Sequence, residues 1–125
     1  MKEHDKKTFI GFSYAWNGLK HLLLTERNFK IQFVVALVMI GSGFILKFSQ
    51  LEWILLFIVI GIVLIAESIN SAIELIMDFL YPEIHPSVKR IKDVSAGAVL
   101  ISAIMAIIVG IILIGPKILP WWKSL

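Results

Sequence analysis

The sequence predicts an all-α integral membrane protein with three transmembrane helices and one N-terminal amphipathic surface helix, and three observations carry that prediction. Of the 125 residues, 58% are hydrophobic and the mean hydropathy is +0.89, well above the ~45–50% apolar share of soluble domains. Apolar runs over about 31–48, 51–80 and 94–119 are separated by short polar stretches, the pattern of helices that cross a bilayer and satisfy their own backbone. Lys and Arg are grouped beside those runs, so the net charge of +3 reads as topology and lipid-headgroup signals and not as a nucleic-acid surface. Cysteine is absent, which removes disulfides and thiolate metal sites from consideration. Residues 1–125 read as a single membrane-embedded domain.

The first element, about 8–27, is the surface helix. Phe9, Phe12, Trp16, Leu19 and Leu23 recur at steps of three and four, with Lys6, Lys7, Asn17 and Lys20 interspersed; this periodicity predicts a helix lying on the membrane with its aromatic side in the acyl boundary. The competing reading is a helix packed on the protein's own core. Gly11 and Gly18 weaken the helical pattern. A polar knot, Thr25-Glu26-Arg27-Asn28-Phe29-Lys30, follows it. The opening basic residues are not followed directly by an apolar stretch with a small-residue cleavage site, so no cleaved signal peptide is expected.

The first span, about 31–48, is short for a hydrocarbon core of ~30 Å, and Gly41-Ser42-Gly43 in its middle invites close helix approach. No Gly-x-x-x-x-Gly-Lys-Ser/Thr phosphate loop exists in the chain. The second span follows a very short turn at Ser49-Gln50, with Trp53 as the expected interface anchor. Pro82 and Pro86 mark a connecting loop, extended to residue 93 by Lys89, Arg90, Lys92 and Asp93. The third span opens with Ser95-Ala96-Gly97-Ala98, a small-residue surface suited to packing against the second. Pro120-Trp121-Trp122-Lys123 has the composition of an interfacial aromatic belt.

Lys2, Lys6, Lys7, Lys20, Arg27 and Lys30 lie on one side of this topology with Lys89, Arg90 and Lys92, against only Lys47, Lys117 and Lys123 on the other. The N-terminus and the 82–93 loop are therefore expected on the cytoplasmic face of a multi-pass cell-membrane protein.

One stripe calls for chemistry. Glu67, Asn70, Ser71, Glu74 and Asp78 share a helix face at the end of the second span. An ionisable side chain at the centre of a membrane helix costs at least ~2.5 kcal/mol. The uninterrupted apolar part from Trp53 to Ala66 is ~21 Å long at 1.5 Å per residue, so Glu67 falls just inside the hydrocarbon boundary while Glu74 and Asp78 emerge into headgroups and water. Glu67 and Glu74 are about 10.5 Å apart along the axis, too far for easy joint work on one ion. Glu74 offers the hard oxygen ligand that Mg²⁺ prefers, with Glu26 as a second carboxylate on the same side. Asp78 and Asp93 suit an outer shell, and Lys92 can neutralise phosphate charge. A carboxylate partly stripped of water is a stronger base, and Glu67 would meet a hydroxyl presented at the headgroup boundary, with Asn70 and Ser71 orienting either group. This layout suits phosphoryl transfer from ATP with Mg²⁺ to a membrane alcohol. The residues alone leave open a proton or ion path, as in a small ion-coupled transporter subunit, and a polar helix contact. Taken singly, His85 is more simply a loop residue than a ligand.

Four blocks then bring a family into view: Tyr14-Ala15-Trp16-Asn17-Gly18-Leu19, Glu26-Arg27-Asn28-Phe29-Lys30, Glu67-Ser68-Ile69-Asn70-Ser71-Ala72-Ile73-Glu74, and Lys92-Asp93. Together they resemble the small prokaryotic diacylglycerol kinase family, which includes undecaprenol kinases. The resemblance implies a homotrimer with active sites between neighbouring subunits. It implies Glu67 as catalytic base, with Asn70 in the motif around it, and Glu26 and Glu74 as the metal-binding carboxylates. It further implies Lys7, Tyr14, Glu83, His85, Lys92 and Asp93 as nucleotide contacts. The order Val94-Ser95-Ala96-Gly97-Ala98-Val99, the Arg27-Asn28-Phe29-Lys30-Ile31 block, Asn17 in place of a commonly basic residue and Gln32 in place of an acid depart from the diacylglycerol pattern. They favour undecaprenol as the substrate over diacylglycerol.

Overall fold

Four helices follow one another in the computed structural model, which describes residues 2–125: α1 Glu3–Thr25, α2 Arg27–Ile45, α3 Gln50–Leu80 and α4 Pro86–Lys123. Among the described residues there is no strand. Helices α2, α3 and α4 are each long and apolar enough to cross a membrane. The most extensive packing is between α3 and α4; α2 lies on α3, and α1 touches α2.

Helix α1 starts at Glu3, earlier than the apolar periodicity indicates. The added turn is polar, and charged straight-chain residues lose little rotamer freedom in a helix, so hydrophobic spacing does not register it. Gly11 and Gly18 leave the helix unbroken, and each faces open space. Phe9, Phe12 and Trp16 form an exposed aromatic row, as a helix at a lipid interface requires.

The polar knot contracts to a single residue. Glu26, at φ −93° and ψ 110°, ends α1 and begins α2, and the rest of the expected knot is helical. Phe29, Ala36 and Gly43 are the buried positions of α2, a seven-residue recurrence that defines the face turned to its neighbours.

Helix α2 stops at Ile45, short of the expected residue 48, and Lys47 takes a left-handed φ of 55° to reverse the chain. Ser49 then caps α3: its Oγ accepts from Glu52 N–H at 3.3 Å, while Ser49 N–H donates to Glu52 Oε1 at 3.2 Å. This reciprocal box satisfies two otherwise orphaned donors. Trp53 is not an outward anchor as the sequence suggests. It packs inward on Phe44, Phe48 and Phe57, with ring centroids at 4.8, 5.6 and 5.8 Å. Gly43 makes this possible, since a Cβ there would stand 2.6 Å from the Trp53 ring. Phe48, Leu56 and Leu113 are the buried centre of the cluster, and Lys117 of α4 closes it by pairing with Glu52 Oε1 at 3.2 Å.

Helix α4 corrects the expected 82–93 loop. Pro86 is its first residue, where a missing N–H and a fixed φ are favourable, so Lys89, Arg90, Lys92 and Asp93 are helical. The connection is only 81–85. Of the small-residue surface, Ser95 and, one heptad on, Ser102 are buried, whereas a Cβ at Gly97 would meet open space. With 38 residues, α4 is ~57 Å long. It therefore projects beyond a ~30 Å hydrocarbon core, as does α3, and the overhang carries the charged residues at the α3–α4 turn.

Candidate active site

Glu67 lies ~25 Å along α3 from Gln50, and it is the most enclosed ionisable side chain among the described residues, at 2% exposure. Its stripe neighbours follow the same helix face: Asn70 is 6% and Ser71 1% exposed, Glu74 is half-buried, and Asp78 is exposed. Burial thus persists from Glu67 through Ser71 and is lost by Asp78, toward the α3–α4 turn.

The partner of Glu67 comes from another helix. Gln32 Nε2 of α2 donates to Glu67 Oε2 at 3.3 Å. Gln32 follows buried Phe29 by three positions and precedes buried Ala36 by four, which turns its amide toward α3. Sequence reading weighed Gln32 only as a clue to the substrate and missed this contact. The available signal was a lone amide on the apolar, inward-facing side of the first span. Glu74 and Glu26 are close enough for their charges to act on Glu67, so the α1–α2 joint and α3 gather three carboxylates in one region.

Several buried polar atoms here have no hydrogen-bond partner within the chain: Gln32 Oε1, Asn70 Oδ1 and Ser71 Oγ. Among the described residues the side-chain donor to Glu67 is Gln32, and neither Asn70 nor Ser71 makes a hydrogen bond to that carboxylate. A buried polar atom without a partner costs ~1–3 kcal/mol. Buried polar atoms of this kind are open to a bond from a ligand, a water molecule or a neighbouring chain. Two cavities border the site. An apolar groove of about 580 Å³ between α2, α3 and α4 ends at Gln32, and a second, of about 460 Å³ between α1 and α3, is lined by His21, Ser68 and Ser71.

Toward the turn, Lys92 Nζ of α4 pairs with Asp78 Oδ1 of α3 at 2.5 Å, while Asp93 pairs with Lys89 one helical turn away. The first pair fastens Lys92 to the lower end of the acidic stripe. His85 is the N-cap of α4, its Nδ1 accepting from Ser87 N–H at 3.1 Å, so that nitrogen is committed to the helix start. Lys7 and Tyr14 on α1 and Glu83 in the turn are exposed. Among the described residues no hydrogen bond or ion pair joins these three to the acidic stripe.

No group of three or more acidic or His side chains is arranged to hold a metal by itself among the described residues. Mg²⁺ is commonly bound through one or two carboxylates and retains water and phosphate ligands. Glu26 and Glu74, both half-buried near Glu67, have the donor chemistry for that task.

Known proteins resemble this chain along most of its length. Undecaprenol kinase of Bacillus subtilis is 34% identical over 110 residues, covering 88% of this chain and 89% of that protein. A diacylglycerol kinase of Synechocystis is 34% identical over 111 residues, covering 88% of this chain and 63% of that protein. Diacylglycerol kinase of Escherichia coli is 34% identical over 101 residues, covering 81% of this chain and 83% of that protein. Residues 13–114, a stretch that holds Glu26, the whole α3 stripe and Lys92-Asp93, match the model of the prokaryotic diacylglycerol kinases. On that match and those identities, the chain belongs to the prokaryotic diacylglycerol kinase family.

Proposed function

We propose that this protein transfers the γ-phosphoryl group of ATP to the hydroxyl of a membrane lipid alcohol, with undecaprenol preferred over diacylglycerol. The observation that carries the reading is Glu67: a carboxylate 2% exposed at the end of a membrane span, with the charges of Glu74 and Glu26 within reach. An acid held there at such cost is explained by a reaction at the lipid boundary.

In this scheme the lipid hydroxyl oxygen forms a bond to the γ-phosphorus while the bond to the β,γ-bridging oxygen breaks, and ADP leaves. The hydroxyl proton goes to Glu67. Proton acceptance by a positioned carboxylate contributes ~10²–10⁴-fold, and the remainder of such chemistry is positioning and charge neutralisation. Glu26 and Glu74 would hold Mg²⁺, which when bound neutralises phosphate charge. Asn70 Oδ1 and Ser71 Oγ, buried and unpartnered, are suited to the substrate side of the reaction. Lys92 and Asp93 would contact the nucleotide together with Lys7, Tyr14, Glu83 and His85. Lys92 would then exchange Asp78 for phosphate, a change of partner that keeps its charge compensated.

The assembly proposed is a homotrimer of single-domain chains, 1–125, with the N-terminus and the α3–α4 turn cytoplasmic. Exposed apolar side chains such as Val34, Val38, Ile58 and Ile65 leave surface for both lipid and neighbouring subunits. Shared sites would bring the scattered nucleotide contacts to the acids of a neighbour. Undecaprenol is favoured because the relative with that named activity is matched over most of both chains and because of the residue choices after Glu26 and Lys92.

The test is transfer from labelled ATP in vesicles holding undecaprenol or diacylglycerol. Both lipids should be phosphorylated, undecaprenol with the higher kcat/KM. Transfer to neither would overturn the reading, and a preference for diacylglycerol would overturn the choice of lipid.

A further inference from the structure

Gln32 takes no part in the bond changes of phosphoryl transfer, yet it supplies the one side-chain hydrogen bond that reaches Glu67 among the described residues. A glutamate has three rotatable bonds, and a carboxylate serves as a base only when the receiving oxygen is aimed at the proton. Fixing one oxygen fixes the other. The contact between Nε2 and Oε2 is 3.3 Å long and crosses from α2 to α3, so it also ties the orientation of the carboxylate to the separation of the two helices.

The environment makes this amide hard to replace. Gln32 is the sole polar side chain lining the groove between α2, α3 and α4, whose walls here include Val35, Met39, Ile60, Val63 and Ile107. Glu67 itself is 2% exposed, so bulk water does not readily supply a substitute donor. The charges of Glu74 and Glu26 also act on Glu67. A neutral amide suits such a position. It restrains the carboxylate without quenching it, whereas a lysine or arginine would form an ion pair and weaken the base.

We infer that Gln32 is the positioning residue for Glu67, holding Oε2 through Nε2 so that the other carboxylate oxygen faces the acceptor hydroxyl. This rests on the reading of Glu67 as the base. Gln32 acts on the chemical step and not on nucleotide capture, because its amide is engaged with Glu67 on the apolar side of the site, away from Asp78 and Lys92.

The experiment uses the full chain in vesicles with undecaprenol and ATP–Mg²⁺, reading kcat and both KM values. Gln32→Met removes the amide at similar volume, and Gln32→Asn keeps an amide but withdraws it by one methylene. Each should lower kcat by roughly 10–100-fold, the scale of a ~1 Å misplacement, with the KM for ATP within about 2-fold, since uniform binding is untouched. In a Glu67→Asp background, already mispositioned, Gln32→Met should cost less than about 2-fold more, because residues that act as a unit are not additive. Wild-type kcat in folded Gln32→Asn overturns the inference, as does the same fractional loss from Gln32→Met in both backgrounds. If Gln32→Met does not fold, the Asn variant carries both comparisons. Loss of kcat in Glu67→Gln alongside unchanged Gln32 variants removes only the role of Gln32. Wild-type turnover in Glu67→Gln removes the base and this inference together.

Discussion

Glu52 and Glu67 sit on one helix about four turns apart, and their surroundings differ in kind. Glu52 accepts from Ser49 N–H, pairs with Lys117 and stands beside an aromatic cluster of Phe44, Phe48, Trp53 and Phe57. Glu67 receives one neutral amide, faces two other acids and lies among buried polar atoms without partners. At the first end no buried polar side-chain atom among the described residues lacks a partner, and the helices are fastened together. At the second the chain leaves polar capacity unspent and like charges close together. In the proposed scheme stability is concentrated at one end of α3 and reactivity at the other, and the apolar length between them keeps the two in separate layers.

That contrast is most directly broken at Glu67. Glu67→Gln should lower turnover by ~10²–10⁴-fold while ATP binding, followed by nucleotide protection against thermal unfolding, stays near the wild-type value. Near-normal turnover would mean that the acid end is structural after all. Next in size, Glu26→Gln or Glu74→Gln should raise the Mg²⁺ concentration for half-maximal rate by ~10–100-fold, the range for loss of a metal-site interaction. An unchanged metal titration would remove both from the metal site.

The fastened end is sharpened by packing variants. Gly43→Ala gains ~1 kcal/mol in helix propensity. Its Cβ must nevertheless fit 2.6 Å from a Trp53 ring already held among three phenylalanines, an overpacking cost of ~1–3 kcal/mol. A net drop in the thermal midpoint is expected in detergent, with kcat of the surviving folded fraction retained. Smallest is Lys117→Met, which loses a largely buried pair with Glu52 and a cation placed 5.6 Å over the Phe48 ring. It should lower the midpoint slightly and leave both kcat and the Mg²⁺ titration unchanged. A strong loss of activity there would couple the two ends.

Much of the candidate site was legible along one helix. The spacing of Glu67, Asn70, Ser71, Glu74 and Asp78 fixes their common face, and the apolar length before them fixes their depth. Glu26 was legible as a carboxylate in the polar knot, on the same side as Glu74. Less legible were the partners. His85 was weighed as a loop residue or a nucleotide contact, and its Nδ1 turned out to cap α4. Lys92 was assigned to a loop, while it is helical and bound to Asp78 across the α3–α4 interface.

Hydropathy and period determined, without coordinates, that this is a helical membrane protein with three spans, a surface helix and an acidic stripe at a span end. Those properties are local, because each residue contributes its own transfer energy and a fixed 100° of rotation. Tertiary structure alone decided that Gln32 meets Glu67, that Trp53 turns inward over Gly43, and that α4 begins early enough to carry Lys92 to Asp78. Such contacts depend on how two helices are rotated and spaced against each other. That geometry is set by the side chains at the crossing, taken together, and no run of neighbouring residues records it.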